Sequence, residues 1–113
     1  MRITLIGLLL LSIIACNNKS DLPKGVLPKA KMQTVLWDMM RADEWVMHEG
    51  IKDSTVDRYK RSVELYQNIF QINGITDSQF KQSFRYYQTR PDLLKPLFDS
   101  LQRKNPRMAL PSL

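Results

Sequence analysis

The chain has 113 residues, 43% of them hydrophobic and 25% charged, which is ordinary for a small globular protein and leaves room for one domain at most. Its formal net charge of +6 is modest and spread along the chain. It lacks the interleaved basic and aromatic pattern of a nucleic-acid reader, so no nucleic acid is expected as a partner.

Met1-Arg2 gives a positive start, and Ile3 to Ile14 is an apolar region interrupted only by Thr4, Gly7 and Ser12. As a helix, Ile3 to Ala15 covers only about 20 Å, against a hydrocarbon core of about 30 Å, so it is too short to span. The pattern is that of a secretory signal. Ile13 is too bulky for an ordinary cleavage site, whereas Ile13-Ile14-Ala15-Cys16 resembles the lipobox of a bacterial lipoprotein, which accepts a branched residue at that place. Residues 1–15 are therefore expected to be removed and Cys16 to be the lipidated first residue of the mature protein. Cys16 is also the sole cysteine, which rules out an internal disulfide in an oxidising envelope. Two or three acyl chains would hold such a protein close to permanently, since stable attachment takes more than one chain.

Residues 16–27 read as a flexible tether: Pro23 and Gly25 interrupt it and no periodicity is present. Lys19, Lys24, Lys29 and Lys31 outweigh Asp21 around this stretch, a bias worth at most about 1 kcal/mol per residue near an anionic surface. Asn17-Asn18-Lys19-Ser20 carries neither an Asp directly after the cysteine nor an acidic run. The expected location is the outer membrane, on its periplasmic face.

A helical domain is expected over residues 28–104. Its first helix starts near Pro28 and runs to about Glu49, before Gly50. Met32, Val35, Leu36, Met39, Met40, Val46 and Met47 recur at three and four along one face, flanked by Trp37 and Trp45. Asp43 interrupts that face and needs a partner or an edge position, because an unpaired buried charge costs several kcal/mol. The second helix is expected to open at Ser54, with Ser54-Thr55-Val56-Asp57 as a capping box, and to end at Asn73-Gly74. Val56, Tyr59, Val63, Tyr66 and Phe70 form its seam, widened by Leu65, Ile69 and Ile72, which makes it the expected hub of the fold. In the third helix Thr76 caps, Gln79 reaches back, and Ile75 with Phe80 forms a hydrophobic staple. Phe80, Phe84 and Tyr87 share its buried face, leaving Ser83 and Tyr86 beside it. Pro91 opens a last helix with Leu94, Leu97, Phe98 and Leu101 inside, and Pro96 is expected to kink its first turns without ending it. Residues 105–113, with Pro106 and Pro111, read as a frayed tail.

The fold class is thus all-α, a small bundle of about four helices behind a lipoprotein signal peptide and flexible tether. The run Phe80-x-x-Ser83-Phe84-x-Tyr86-Tyr87, then Pro91-x-x-Leu94, with Leu36-x-Asp38 and Ala42 in the first helix, resembles the small helical lipoproteins of Bacteroidota that share an uncharacterised domain of unknown function. The resemblance spans about residues 28 to 104. It implies an all-helical, lipid-anchored envelope protein and brings no activity, catalytic residue or cofactor with it.

The residues give no case for an enzyme. The one cysteine is the expected acylation site, and the one histidine, His48, has no second histidine at metal-ligand spacing. Asp53 and Asp57 stand four apart, but capping and first-turn charge account for both. No catalytic residue, cofactor or metal is therefore expected. Two non-catalytic roles stand: a binding or assembly module for another envelope protein, which predicts an exposed apolar patch, or a structural domain acting at the membrane surface through its basic tether. Six Met and ten aromatic residues favour the first, with Trp37, Trp45 and Tyr86 as candidate partner contacts.

Overall fold

The structure, a computed structural model, describes residues 22–107. The expected signal peptide, Cys16 and the tail from residue 108 onward lie outside the described residues. Four helices follow one another: α1 (Lys29–Lys52), α2 (Arg58–Ile72), α3 (Asp77–Gln88) and α4 (Pro91–Lys104). The described residues hold no strand, so the all-α bundle expected from the helical periodicity is what forms.

The helices pack as two layers. α1 and α2 form a hairpin, α3 and α4 a second one, and α1 touches α4 while α2 touches α3, which closes a four-sided bundle. The core between the layers holds Leu27, Met32, Val35, Leu36, Met39, Met40, Phe70, Phe80, Tyr87, Leu97 and Leu101. Its hub is α1. That helix buries Met32, Val35, Leu36, Met39, Met40 and Val46, whereas α2, the expected hub, fully buries Phe70 alone.

Several boundaries differ from the sequence expectations, each for a local reason. Pro28 is the N-cap of α1 instead of its first residue. The helix runs past Gly50 to Lys52, and the Asp53 N–H closes it on the Glu49 carbonyl at 2.9 Å. The Arg58 side chain of α2 lies against Gly50, and an added Cβ would sit 2.8 Å from the arginine Cδ. The cap of α2 is Asp57, whose carboxylate accepts from Lys60 N at 3.1 Å. Ser54 does not cap, because Asp53 takes the turn first: its Oδ1 accepts from Thr55 N at 2.9 Å and from Thr55 Oγ1 at 2.7 Å.

The end of α2 and the start of α3 follow the sequence reading. Gly74 adopts φ +67, the Ile75 N–H reaches back to the Phe70 carbonyl at 3.0 Å, and Thr76 Oγ1 accepts from Gln79 N at 3.0 Å. Lys31 Nζ donates to the Asn73 carbonyl at 3.1 Å, placing a cation at the negative end of α2. α4 runs unbroken through Pro96.

The expected tether is shorter than its composition suggested. Val26 N donates to the Pro23 carbonyl in a turn carrying Gly25 at φ +86, and Leu27 is buried. Leu27 is gripped at both backbone groups: its N–H donates to Ser83 Oγ at 2.9 Å and its carbonyl accepts from the Tyr87 hydroxyl at 2.8 Å. Ser83, expected beside the face, is therefore fully inside it.

Candidate functional site

The three aromatic residues singled out as partner contacts do not come together. Trp37 is half-buried against the core, with Lys104 Nζ 5.4 Å from its ring centroid. Tyr86 also packs on the core, edge-on to Tyr87 at 6.0 Å, and its hydroxyl accepts from Arg90 Nη1 at 3.1 Å. Its ring is half-buried, and the bond to Arg90 lies at the surface. Trp45 alone is exposed; its Nε1 donates to Glu49 Oε1 at 2.8 Å, beside the Glu49–Arg61 ion pair that joins α1 to α2 at 3.4 Å.

Polar clusters elsewhere are satisfied by their own neighbours. The half-buried Asp43 accepts from the Tyr66 hydroxyl and from Ser62 Oγ, so the carboxylate that interrupts the apolar face of α1 fixes the register of the hairpin. Burial, and after it the Asp43 carboxylate, pushes the Tyr66 phenol well above its ordinary range. At the α3–α4 corner Arg90 grips Asp92 through two hydrogen bonds of 2.9 and 2.7 Å. That pairing lowers the Asp92 carboxyl and raises the arginine. Thr55, through the two bonds to its hydroxyl and backbone N–H, likewise lowers the Asp53 carboxyl. Among the described residues no group of three His, Cys, Asp or Glu is placed to hold a metal ion. A shallow depression of about 350 Å³ on the outside of α4 is lined by Pro91, Leu94, Lys95, Phe98, Asp99 and Gln102. The Lys95–Asp99 pair, 2.8 Å apart, borders it.

A group of exposed apolar residues lies at the far end of the α1–α2 hairpin. α1 has 24 residues, about 36 Å of helix, while α3 and α4 have 12 and 14, about 18 and 21 Å. The second layer is too short to cover the first. Met47 and Ile51 follow Met40 by 7 and 11 residues, and Tyr59 and Val63 precede Phe70 by 11 and 7, so both pairs continue core stripes. Beyond the α3–α4 layer those stripes emerge into solvent: Met47 is 60% exposed, Ile51 79%, Tyr59 81% and Val63 38%. The expectation that Met47 would be buried fails for this reason. The apolar spacing of α1 and α2 was legible, but it could not reveal where the covering layer stops. The signal that was available is the difference in helix length.

Comparison with known families places this domain. The family model for a domain of unknown function, DUF4296, matches residues 23–105. The chain belongs to that family. The match begins at Pro23, so the turn that seats Leu27 lies within the family's domain. No curated protein and no solved structure matches the chain. Among the described residues no helix is long and apolar enough to cross a membrane.

Proposed function

We propose that this DUF4296 domain is a non-catalytic binding or assembly module of the bacterial envelope, of the Bacteroidota lipoprotein kind, fastened to the membrane by acyl chains on Cys16. The observation that carries the reading is the uncovered apolar surface of Met47, Ile51, Tyr59 and Val63 at the far end of the hairpin. Isolated exposed apolar residues are normal on a monomer; two adjacent stripes that continue the core are a contact surface. The chain enters α1 at the opposite end, so a protein anchored through Cys16 would hold its tip up to about 36 Å from the point of attachment. The outer membrane, periplasmic face, is the location that the residues after Cys16 favour.

The alternative, a structural domain that reads the membrane through its basic tether, is weakened by Lys31, which is engaged with the end of α2. Two experiments test the proposal. Labelling with a radioactive fatty acid should mark the wild type and not Cys16→Ser; equal label on both would remove the anchor. Cross-linking pull-down from membranes should capture a partner that Ile51→Glu loses while its thermal melt is unchanged. Capture that ignores Ile51→Glu would remove the tip as the contact surface.

A further inference from the structure

We infer that the occupant of the hairpin tip is a second copy of this chain, packed tip to tip about a two-fold axis. The inference rests on the reading of the tip as a contact surface and names its partner.

The geometry of the uncovered face restricts what can sit on it. α3 and α4 fill the near half of the same side of the hairpin, so a copy whose helices ran the same way would drive its own α3–α4 layer into the first. An antiparallel copy puts the two α3–α4 layers at opposite ends and overlaps only the tips. An axis perpendicular to the helices through the middle of the exposed stripe then sets Met47 opposite Ile51 of the second copy, and Tyr59 opposite Val63.

One axis serves both helices. The midpoint of Met47 and Ile51 is position 49, and that of Tyr59 and Val63 is position 61; Glu49 and Arg61 are the residues that meet across the hairpin at 3.4 Å. Shorter side chains also meet across the hairpin, Ser62 on Asp43 and the Arg58 stem on Gly50, and together with that pair they put the two centres within about one helical turn of each other in height. A self-complementary face needs its two centres this close.

The charges at the edges agree. Glu44 stands one turn before Met47 and Lys52 directly after Ile51, both exposed and neither in an ion pair among the described residues. The same rotation brings Glu44 of each copy to within two residues of register with Lys52 of the other, about 3 Å along the helix, which a lysine side chain spans. Four exposed apolar side chains per copy make a small interface, below about 1,200 Å² in total, so the dimer should be weak in solution and reversible.

The test uses the full chain in membranes. Two differently tagged forms, Met47→Cys and Ile51→Cys, are expressed together and treated with a short bifunctional maleimide. The expected product is a cross-link joining the two tags, absent when the second cysteine is placed at the base instead, as Gln88→Cys. Glu44→Lys in both chains should cut its yield roughly three- to tenfold, and Glu44→Lys with Lys52→Glu should restore it. No cross-link between the two tags, or a yield that the charge reversals do not move, would overturn the dimer. The binding reading is judged separately by the Ile51→Glu pull-down: another protein captured through Ile51 by a chain that does not self-associate keeps that reading and discards this one.

Discussion

The Tyr87 hydroxyl donates to the Leu27 carbonyl at 2.8 Å across 60 positions of sequence, and Ser83, one turn earlier on α3, accepts from the N–H of the same leucine. The segment that leads into α1 is thereby pinned to a helix far along the chain. Removing either side chain strands a buried backbone group, at a cost of about 1 to 3 kcal/mol. Ser83→Ala and Tyr87→Phe should each lower stability by that amount in urea melts. Both hold one residue, so their costs should not add, and the double variant should lose less than the sum. Trypsin should cut after Lys24 faster in each variant than in the wild type, because local release of the segment exposes it.

The aromatic column of the core gives a ranked prediction. Phe80 is buried and stacks on Phe70 with ring centroids 5.1 Å apart, whereas Phe84 is half-buried and 6.0 Å from Phe80. Truncating a buried Phe to Ala costs about 3 to 5 kcal/mol, a large part of the roughly 5 to 15 kcal/mol that holds a domain. Phe80→Ala should therefore come close to unfolding the protein. Phe84→Ala should fall clearly short of it. Far-ultraviolet circular dichroism during urea titration measures both, and equal losses would contradict the burial order.

Most of the architecture was written in local patterns. The apolar places of α1, the Thr76 cap and the Asn73-Gly74 ending depend on neighbours within one or two turns, so the sequence could reveal them. Two features depend on distant residues, which the spacing within a helix does not show. The seating of Leu27 needs Ser83 and Tyr87, which carry no local mark of that task. The exposure of Tyr59, on a seam that looked enclosed, follows from where α3 and α4 end. Of the three aromatic residues singled out, Trp37 and Tyr86 are half-buried beside Lys104 and Arg90, and Trp45 is exposed, a difference that their spacing alone did not show.

Gly50 offers a stabilising change. A glycine inside a helix costs about 1 kcal/mol relative to alanine. Its φ is ordinary for a helix, and the close atoms that a Cβ would meet belong to the exposed, flexible Arg58 side chain. The arginine can swing away, so Gly50→Ala should raise stability by up to about 1 kcal/mol. Gly74→Ala should do the reverse, since φ +67 disfavours any Cβ even though the surrounding space is open. A pair of thermal melts of opposite sign is expected; a loss at Gly50 would mean that the Arg58 packing outweighs helix propensity.

The tyrosines set an alkaline limit on the fold. Burial holds the Tyr66 phenol above its ordinary value of 10, and Asp43 adds to the shift by hydrogen bond and charge; burial also raises Tyr87. A phenol whose folded pKa exceeds its unfolded one favours the fold while it is protonated. Its contribution is complete below pH 10 and is lost as the pH climbs from there towards the folded value. Two consequences are measurable. Tyrosinate absorbance of the native protein should show ionisation delayed beyond that of the urea-unfolded chain, with Tyr66→Phe removing part of the delayed step. Urea stability should decline above pH 10 in the wild type and decline less steeply in Tyr66→Phe, even though that variant starts lower because Asp43 has lost its closest donor. A wild type whose stability stayed level well above pH 10 would mean that the phenols of Tyr66 and Tyr87 ionise without strain in the folded state.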